Sequence, residues 1–267
     1  MNPNTLVVIH CYEGETPKLQ WMLGGWLHHQ TPLLFLSPED APVQVGTFPA
    51  KSAGKRGWKG AHTWERQRLH WGIALQEPAE WFLLNDSDSF CLTPDLPRYL
   101  YDGPKDAFYS NVICHEFEHK DTDHPNFQPP YFCHREALEA IVEEYDRMDL
   151  KAIAAAHDRD AANFDPKLWS SGSMNASRGV TSPKFKDEAA IDHLYTEIVK
   201  DRLKLPWYDY PDGTTNWHLL DASVVLDRID HGARFLHPIK SPDALRECMY
   251  RARRFWTSDD ETIRVRL

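Results

Sequence analysis

The sequence lacks a long apolar run and lacks an excess of positive charge. No stretch approaches the roughly 18 consecutive apolar residues that a membrane-spanning helix needs. The net charge of −10 argues against a protein that simply coats nucleic acid, because phosphate binding requires a basic surface. A local basic patch is still compatible with this balance. The first ten residues have neither the basic region nor the apolar length of a signal peptide, so we expect a cytoplasmic protein.

Cysteine, repeats and linkers are also scarce. The five cysteines form no C-x-x-C pair, and we interpret them as reduced, mostly buried thiols. No internal repeat, low-complexity tract or Gly/Ser-rich linker divides the 267 residues. The chain is long enough to bury a sizeable core, and the simplest interpretation is one domain covering 1–267.

Short apolar runs alternate with helical patterns along the chain. This alternation indicates an α/β fold whose strands form a parallel sheet that is buried on both faces. The predicted strands are 5–12, 32–40, 80–88 and 107–117, and a short strand opens 131–148. The predicted helices are 16–30, 62–76, the rest of 131–148, 187–203 and 241–256.

The segment Trp81–Asp88 carries the strongest chemical signal. Four apolar residues run directly into Asn85, Asp86, Ser87 and Asp88, so a buried strand is expected to reach the surface at its carboxyl end. Ligands of open α/β sheets bind at that edge. If the strand geometry continues, Asp86 and Asp88 point to the same side and can hold one divalent cation, which prefers oxygen ligands. The alternative is a turn that only ends a strand, since Asp, Asn and Ser are all turn residues.

The order of elements before this segment resembles a known family. The pattern G-W-K-G-A, R-L-H-W-G-I-A-L and E-W-F-L-L-N-D-S-D is similar to the nucleotide-binding half of GT-A-fold glycosyltransferases, with Lys59, Gly72 and Asp86-x-Asp88 in the expected order. His70 departs from that pattern, because many relatives have Asn there. The resemblance implies a Rossmann-type mixed sheet flanked by helices, a nucleotide-sugar donor (UDP-sugar favoured) and a bound Mn²⁺ or Mg²⁺ ion. It further implies a nucleotide-sugar-binding half over about 1–100 and an acceptor half over about 101–240.

Two downstream segments are similar to the retaining members of that fold. Lys186–Tyr195 resembles the D-E-x-x-L-N-x-Y stretch of α-galactosyl and blood-group transferases, which places Glu188 beneath the reacting sugar carbon. Asp192 replaces the Asn of that stretch, and Asp187 and Glu188 are alternatively favourable acids in the first turn of a helix. His237 and Lys240 have the spacing of the late H-x-x-G-x-K element of glycogenin-like enzymes, with Ile239 at the Gly position.

The resemblance therefore implies three groups of site residues. The catalytic group is Glu188, with Asp187 and Asp192 as substitutes. The metal ligands are Asp86, Asp88 and His237. The donor-binding group is His10, Tyr12, Glu13, Lys59, Arg68, Asp86, Ser171, Gly172 and Lys240, with Trp169 beside Ser171 in the wall between donor and acceptor.

A second motif points to another class of enzyme. His115-Glu116-Phe117-Glu118-His119 matches H-E-x-x-H, which binds zinc when both His lie on one face of a stable helix. The apolar residues before the motif favour a strand, and Pro125 follows soon after it. Thr122 and Pro125 occupy the Gly and His positions of the extended pattern. A zinc metallopeptidase is therefore the alternative function rather than the preferred one.

The acceptor is not specified by any motif. Arg246, Arg251, Arg253 and Arg254 make the C-terminal segment 241–267 a basic helix and tail. Such a cluster is typical of a solvated helix face paired with nearby acids. It is also compatible with a phosphate-bearing acceptor, so a saccharide, a glycolipid and a hydroxylated base in DNA all remain open.

Overall fold

The computed structural model describes residues 4–10, 33–37, 50–52, 62–86, 89–91, 96–113, 126–149, 194–215, 222–237, 239 and 242–252.

A seven-stranded mixed sheet forms the centre of the protein. Its strands are β1 (Thr5–His10), β2 (Leu33–Ser37), β3 (Ala50–Ser52), β4 (Trp81–Asp86), β6 (Phe108–Ile113), β7 (Asn126–His134) and β8 (Trp207–Asp209). They are ordered β3-β2-β1-β4-β7-β6-β8. β1, β2, β3 and β4 run parallel, whereas β7 runs antiparallel to both β4 and β6. The predicted α/β class with a mixed sheet is confirmed.

A second, three-stranded sheet follows the end of β4. It consists of β5 (Phe90–Cys91), β9 (Gly213–Thr215) and β10 (Phe235–His237), in the order β5-β10-β9. Strands this short contain too few residues to show the alternation of polar and apolar side chains, and the sequence did not predict them. Their importance is that β10 ends at His237, one of the predicted metal ligands.

Helices come between the strands in chain order and pack against the large sheet. The α-helices are α1 (His62–Ala74), α2 (Tyr99–Asp102), α3 (Arg135–Arg147), α4 (Ala222–Asp230) and α5 (Pro242–Ala252). The predicted helix 187–203 is described only from Leu194 onward, where a helical Leu194–Tyr195 leads into a π-helix, Thr196–Arg202. α3 begins where the His134 Nδ1 atom accepts a hydrogen bond from the Glu136 backbone N–H at 3.2 Å. Its buried residues recur at helical spacing and face the sheet.

The main core lies between one face of the sheet and the helices. Phe82 and Leu84 of β4 point to this face and are almost fully buried. Their neighbours in the same cluster include Leu6, Val8, Trp71, Tyr131, Leu138, Ile141, Leu194, Tyr195 and Ile198. In the predicted helical segment 187–203, the described apolar residues Leu194, Tyr195 and Ile198 recur at helical spacing and are fully buried.

The described cysteines agree with the predicted buried thiols. Cys91, Cys133 and Cys248 are buried. Burial raises the pKa of Cys133 to about 12, so this thiol stays protonated at neutral pH. Cys11 and Cys114 lie outside the described residues.

Arg135, the first residue of α3, makes hydrogen bonds to the segment between α1 and β4. Its Nε and Nη1 atoms donate to the carbonyls of Ala79 and Leu75 at 2.8 and 3.0 Å, and its Nη2 atom donates to that of Glu77. The guanidinium also lies 5.3 Å from the centre of the Phe82 ring. One cation thus donates to three backbone carbonyls of the segment that connects α1 to β4.

Replacing Arg135 with Met is expected to lower the free energy of unfolding by about 2 kcal/mol, because several carbonyls lose a charged donor. The side chain is 27% exposed, so water restores part of the loss. Urea denaturation with an unchanged m-value measures the effect. Arg98→Met is the matched control, because Arg98 is 90% exposed and pairs only loosely with Asp102 at 3.6 Å. Equal losses in both variants would show that the Arg135 contacts do not stabilise the fold.

Candidate functional site

The order of the strands reverses between β1 and β4. From β1 the chain moves outward to β2 and β3, and it then returns to place β4 on the other side of β1. In open α/β sheets, a crevice for ligands forms beyond the carboxyl ends of the strands at such a reversal. The register pairs Ile9 with Asn85 and His10 with Asp86 at these ends. We refer to His10, Asn85, Asp86 and the turn to Ser89 as the switch-point site.

The chain turns immediately after Asp86. The Asp86 N–H donates to Ser89 Oγ at 2.8 Å, and the Ser89 N–H donates to the Asp86 carbonyl at 3.1 Å. Ser89 is fully buried, which fixes the turn against the protein. The expectation that Asp86 and Asp88 share one side required the strand to continue, but β4 ends at Asp86. Asp88 itself lies outside the described residues, so its use as a ligand stays a prediction.

The small sheet brings His237 to this turn. β10 pairs antiparallel with β5, with Phe235 opposite Cys91 and Leu236 opposite Phe90. His237 follows Leu236 in β10, so the antiparallel pairing directs it toward the Ser89 end of β5. His237 is separated from Asp86 by about 150 residues of sequence, yet the pairing brings the end of β10 toward the turn that closes β4. Metal binding by Asp86 and His237 stays a prediction.

The side chains at the turn have the chemistry that a divalent cation requires. Asp86 supplies a carboxylate, and His237 supplies an imidazole that is only partly exposed. Carboxylate ligands suit Mg²⁺ and Mn²⁺, and imidazole is a common additional ligand for transition metals. Among the residues that the structure describes, no three His, Cys, Asp or Glu side chains cluster as a metal site. The complete ligand set with Asp88 therefore remains a prediction.

Tyr195 lies beneath the switch-point site and is completely buried. Its hydroxyl accepts hydrogen bonds from Gln67 Nε2 and Trp71 Nε1, both at 2.9 Å. Its ring centre lies 4.1 Å from that of Tyr131. Burial raises the pKa of Tyr195 well above its ordinary value, and the nearby negative charge of Asp86 contributes in the same direction. These two hydrogen bonds anchor Tyr195 to α1, and residues 187–193, which precede it, lie outside the described residues.

Arg68 makes its described contacts with a helix rather than with the strand ends. Its Nε and Nη2 atoms donate to the two carboxylate oxygens of Asp146 at 2.8 and 2.7 Å, which joins α1 to α3. This hydrogen bonding keeps the pKa of Asp146 below its ordinary value. A bidentate pair of this kind is geometrically specific. Donor binding by Arg68 stays a prediction.

The basic face of α5 is partly neutralised within the helix. Arg246 Nη2 lies 3.1 Å from Asp243 Oδ1, one turn away. This agrees with a solvated helix face whose charges pair locally. Arg253 and Arg254 lie outside the described residues.

Most of the remaining predicted residues fall outside the described part of the chain. This group comprises Tyr12, Glu13, Lys59, Trp169, Ser171, Gly172, Asp187, Glu188, Asp192 and Lys240, and also the motif His115–His119. Their roles stay predictions. His10 is described through its backbone as the last residue of β1, in register with Asp86, and donor binding by His10 stays a prediction.

Asn85 is a site residue that the sequence interpretation missed. Its side chain is 1% exposed, and neither its amide oxygen nor its amide nitrogen has a hydrogen-bond partner among the described residues. The sequence grouped Asn85 with the turn that follows it. The available signal was the strand alternation, which places Asn85 on the same buried face as Trp81 and Leu83.

Comparison with known proteins gives little further information. No protein-family model matches the sequence, and no curated protein matches it. One similar solved structure is the glycosyltransferase GlyE of Streptococcus pneumoniae TIGR4, with 9% sequence identity and a TM-score of 0.46. The match covers 96% of this chain and 64% of GlyE, so the chain spans less than two thirds of that protein. A likeness of this size carries no inference about activity.

None of the helices in the described ranges combines the length and the apolar character that crossing a bilayer requires.

Proposed function

We propose that this chain is a metal-dependent glycosyltransferase that moves a hexose or pentose from a nucleotide-diphosphate sugar, with a UDP-sugar as the favoured donor, to a hydroxyl acceptor. The observation that carries the proposal is the position of Asp86. It ends a buried parallel strand at the point where the strand order reverses, and the β5–β10 pairing brings His237 toward the turn that follows it. Asp86 and His237 would lie at the edge of the sheet where ligands bind. A carboxylate and an imidazole there could hold a divalent cation, and the cation could in turn bind the diphosphate.

The chemistry of transfer requires positive charge at this edge. Departure of the nucleoside diphosphate builds negative charge on its oxygens, which a divalent cation held by Asp86, Asp88 and His237 would neutralise. Lys240, three residues after His237, is proposed to meet the same diphosphate. His10, Tyr12, Glu13 and Lys59 are proposed to hold the nucleoside, together with Arg68.

The reacting sugar is proposed to lie against the segment before Tyr195. Glu188 is the proposed carboxylate beneath the sugar, where it stabilises an oxocarbenium-like centre or attacks it with retention of configuration. Asp187 and Asp192 are the alternatives for this role. The anchoring of Tyr195 by Gln67 and Trp71 supports this arrangement, because it holds the end of the acidic segment below the end of β4. Ser171 and Gly172 are proposed to line the wall between donor and acceptor.

The acceptor is proposed only as a class. A saccharide, a glycolipid and a hydroxylated base in DNA each present the hydroxyl that the reaction needs. A phosphate-bearing acceptor would use the basic C-terminal segment, and its affinity would fall steeply with salt.

The proposed function predicts donor-dependent stabilisation of the protein. A panel of UDP-, GDP- and ADP-sugars is titrated with and without Mn²⁺ while the melting temperature is recorded. One class of donor at about 100 times its dissociation constant is expected to raise Tm by about 5–10 °C, with Mn²⁺ required and EDTA reversing the shift.

The zinc peptidase alternative predicts a different result in the same preparation. It requires one tightly bound zinc per chain, lost in both His115→Ala and His119→Ala, with no response to nucleotide sugars. Elemental analysis together with the Tm panel therefore separates the two functions. Zinc at one equivalent and a flat panel would overturn the glycosyltransferase proposal.

A further inference from the structure

Asn85 is a buried amide whose polar atoms have no hydrogen-bond partner among the described residues. Its side chain is 1% exposed, and both of its polar atoms lack hydrogen-bond partners within the described ranges. Burying a donor and an acceptor without partners destabilises a folded protein, and buried polar groups are otherwise almost always paired. The stability of the fold therefore does not explain why an amide side chain occupies this position.

The position of Asn85 connects this amide to the switch-point site. Asn85 pairs with Ile9 in the register of β1 and β4, one residue before the pair of His10 and Asp86. Alternation along β4 places its side chain on the sheet face opposite to that of Asp86. The two side chains therefore lie on opposite faces of the sheet at the carboxyl end of the same strand.

The surroundings of Asn85 suit a neutral group rather than a phosphate. Ile9 beside it and Leu83 on the same face of β4 are both fully buried apolar residues. A phosphate needs positive charge or several N–H donors, and the side chains of Ile9 and Leu83 supply neither. An amide in apolar surroundings instead matches a partner that offers one donor and one acceptor side by side.

We propose that Asn85 binds the neutral part of the nucleotide-sugar donor, with its Nδ2 atom donating and its Oδ1 atom accepting a hydrogen bond. The partner is either the polar edge of the base or a pair of hydroxyls on a sugar ring, since both present an adjacent donor and acceptor. This assignment rests on the proposed function and adds a specificity-determining residue to it. A site that satisfies its buried polar atoms through the ligand discriminates strongly against ligands that lack the matching groups.

The test exploits the opposite effects that Asn85 should have on stability and on binding. Asn85→Leu replaces the amide by an apolar group of similar size, and Asn85→Ala covers the case in which a branched side chain is too wide. Tm is measured for the free protein, and the dissociation constants of UDP and UDP-glucose are measured by calorimetry with Mn²⁺. If the Tm panel identifies another base, the corresponding diphosphate and sugar replace these probes.

Asn111→Leu is the matched control. Asn111 is equally buried in the large sheet and its Oδ1 atom likewise lacks a partner among the described residues, but its Nδ2 atom donates to the Pro129 carbonyl at 3.0 Å. Its replacement is expected to lower Tm by about 2–4 °C and to leave the dissociation constants unchanged.

The expected result is that Asn85→Leu melts at or above the wild-type temperature while its dissociation constant rises at least about tenfold. Weaker binding of both UDP and UDP-glucose assigns the contact to the nucleoside, and weaker binding of UDP-glucose alone assigns it to the transferred sugar. Two outcomes overturn the assignment: dissociation constants within about threefold of wild type in both Asn85 variants, or Tm losses in both that match Asn111→Leu. A wild-type protein that binds no nucleotide with Mn²⁺ overturns the proposed function, and this assignment with it.

Discussion

Asp86→Asn is expected to lower the rate of sugar transfer by about a thousandfold while the protein remains folded, because loss of one charged group at a developing diphosphate typically costs on this order. The turn after β4 should survive the change. Its hydrogen bonds to Ser89 use the backbone N–H and carbonyl of Asp86 rather than the carboxylate. The substitution therefore removes charge from the switch-point site without removing the structure that positions it.

The measurement combines steady-state transfer with calorimetric titration of Mn²⁺ and nucleoside diphosphate. Asp88→Asn should behave in the same way if the ligand set is complete. Asp102→Asn is the control, because Asp102 is an exposed acid at the end of α2 that pairs with Arg98. A transfer rate and a Mn²⁺ requirement that are unchanged in Asp86→Asn would remove the D-x-D metal assignment and leave the motif as a turn.

The central strands were predictable because their residues decide the local structure. β1, β2 and β4 contain runs of Leu, Val, Ile or Phe, and such runs favour strands that are buried on both faces. α5 was predictable as well, since Ser241 and Pro242 provide a start signal for a helix. In each case the information lies within a few neighbouring residues.

Other elements depend on partners that a local pattern does not contain. β3 consists of Ala50, Lys51 and Ser52, which form a strand because β2 offers them an edge. β7 runs through Pro129 and Pro130, residues that disfavour a strand, and it begins five residues before the predicted one. The π-helix Thr196–Arg202 replaces an α-helical pattern in the segment that was predicted from periodicity alone.

The same distinction applies to the switch-point site. Asp86 was found from its own segment, because a buried strand followed by acids is visible in eight residues. The contact of the small sheet with the Asp86–Ser89 turn was not visible, because β10 pairs with β5 across about 140 residues of sequence. Asn85 was missed because its notable property is a buried side chain without a hydrogen-bond partner among the described residues. Only the folded structure shows this property.

Tyr195→Phe is expected to lower the free energy of unfolding by about 3 kcal/mol, because it leaves two buried donors, Gln67 Nε2 and Trp71 Nε1, without their acceptor. Turnover should fall about tenfold as well, with the donor KM nearly unchanged, since the segment that ends at Tyr195 carries the proposed catalytic acids. Tyr195 would then act as a positioning residue. Urea denaturation and steady-state kinetics measure the two effects.

The cause of the loss can be isolated with two further comparisons. Tyr109→Phe is the matched control, because Tyr109 is 6% exposed and its hydroxyl has no hydrogen-bond partner in the described part of the chain. This variant should lose less than about 0.5 kcal/mol. In a double-mutant cycle, Gln67→Leu removes one of the donors in advance, so the combined loss should fall short of the sum of the single losses by about 1–2 kcal/mol. Additive losses, or a Tyr195→Phe loss no greater than that of Tyr109→Phe, would mean that the hydroxyl does not hold the acidic segment, and that Glu188 must be positioned by other contacts.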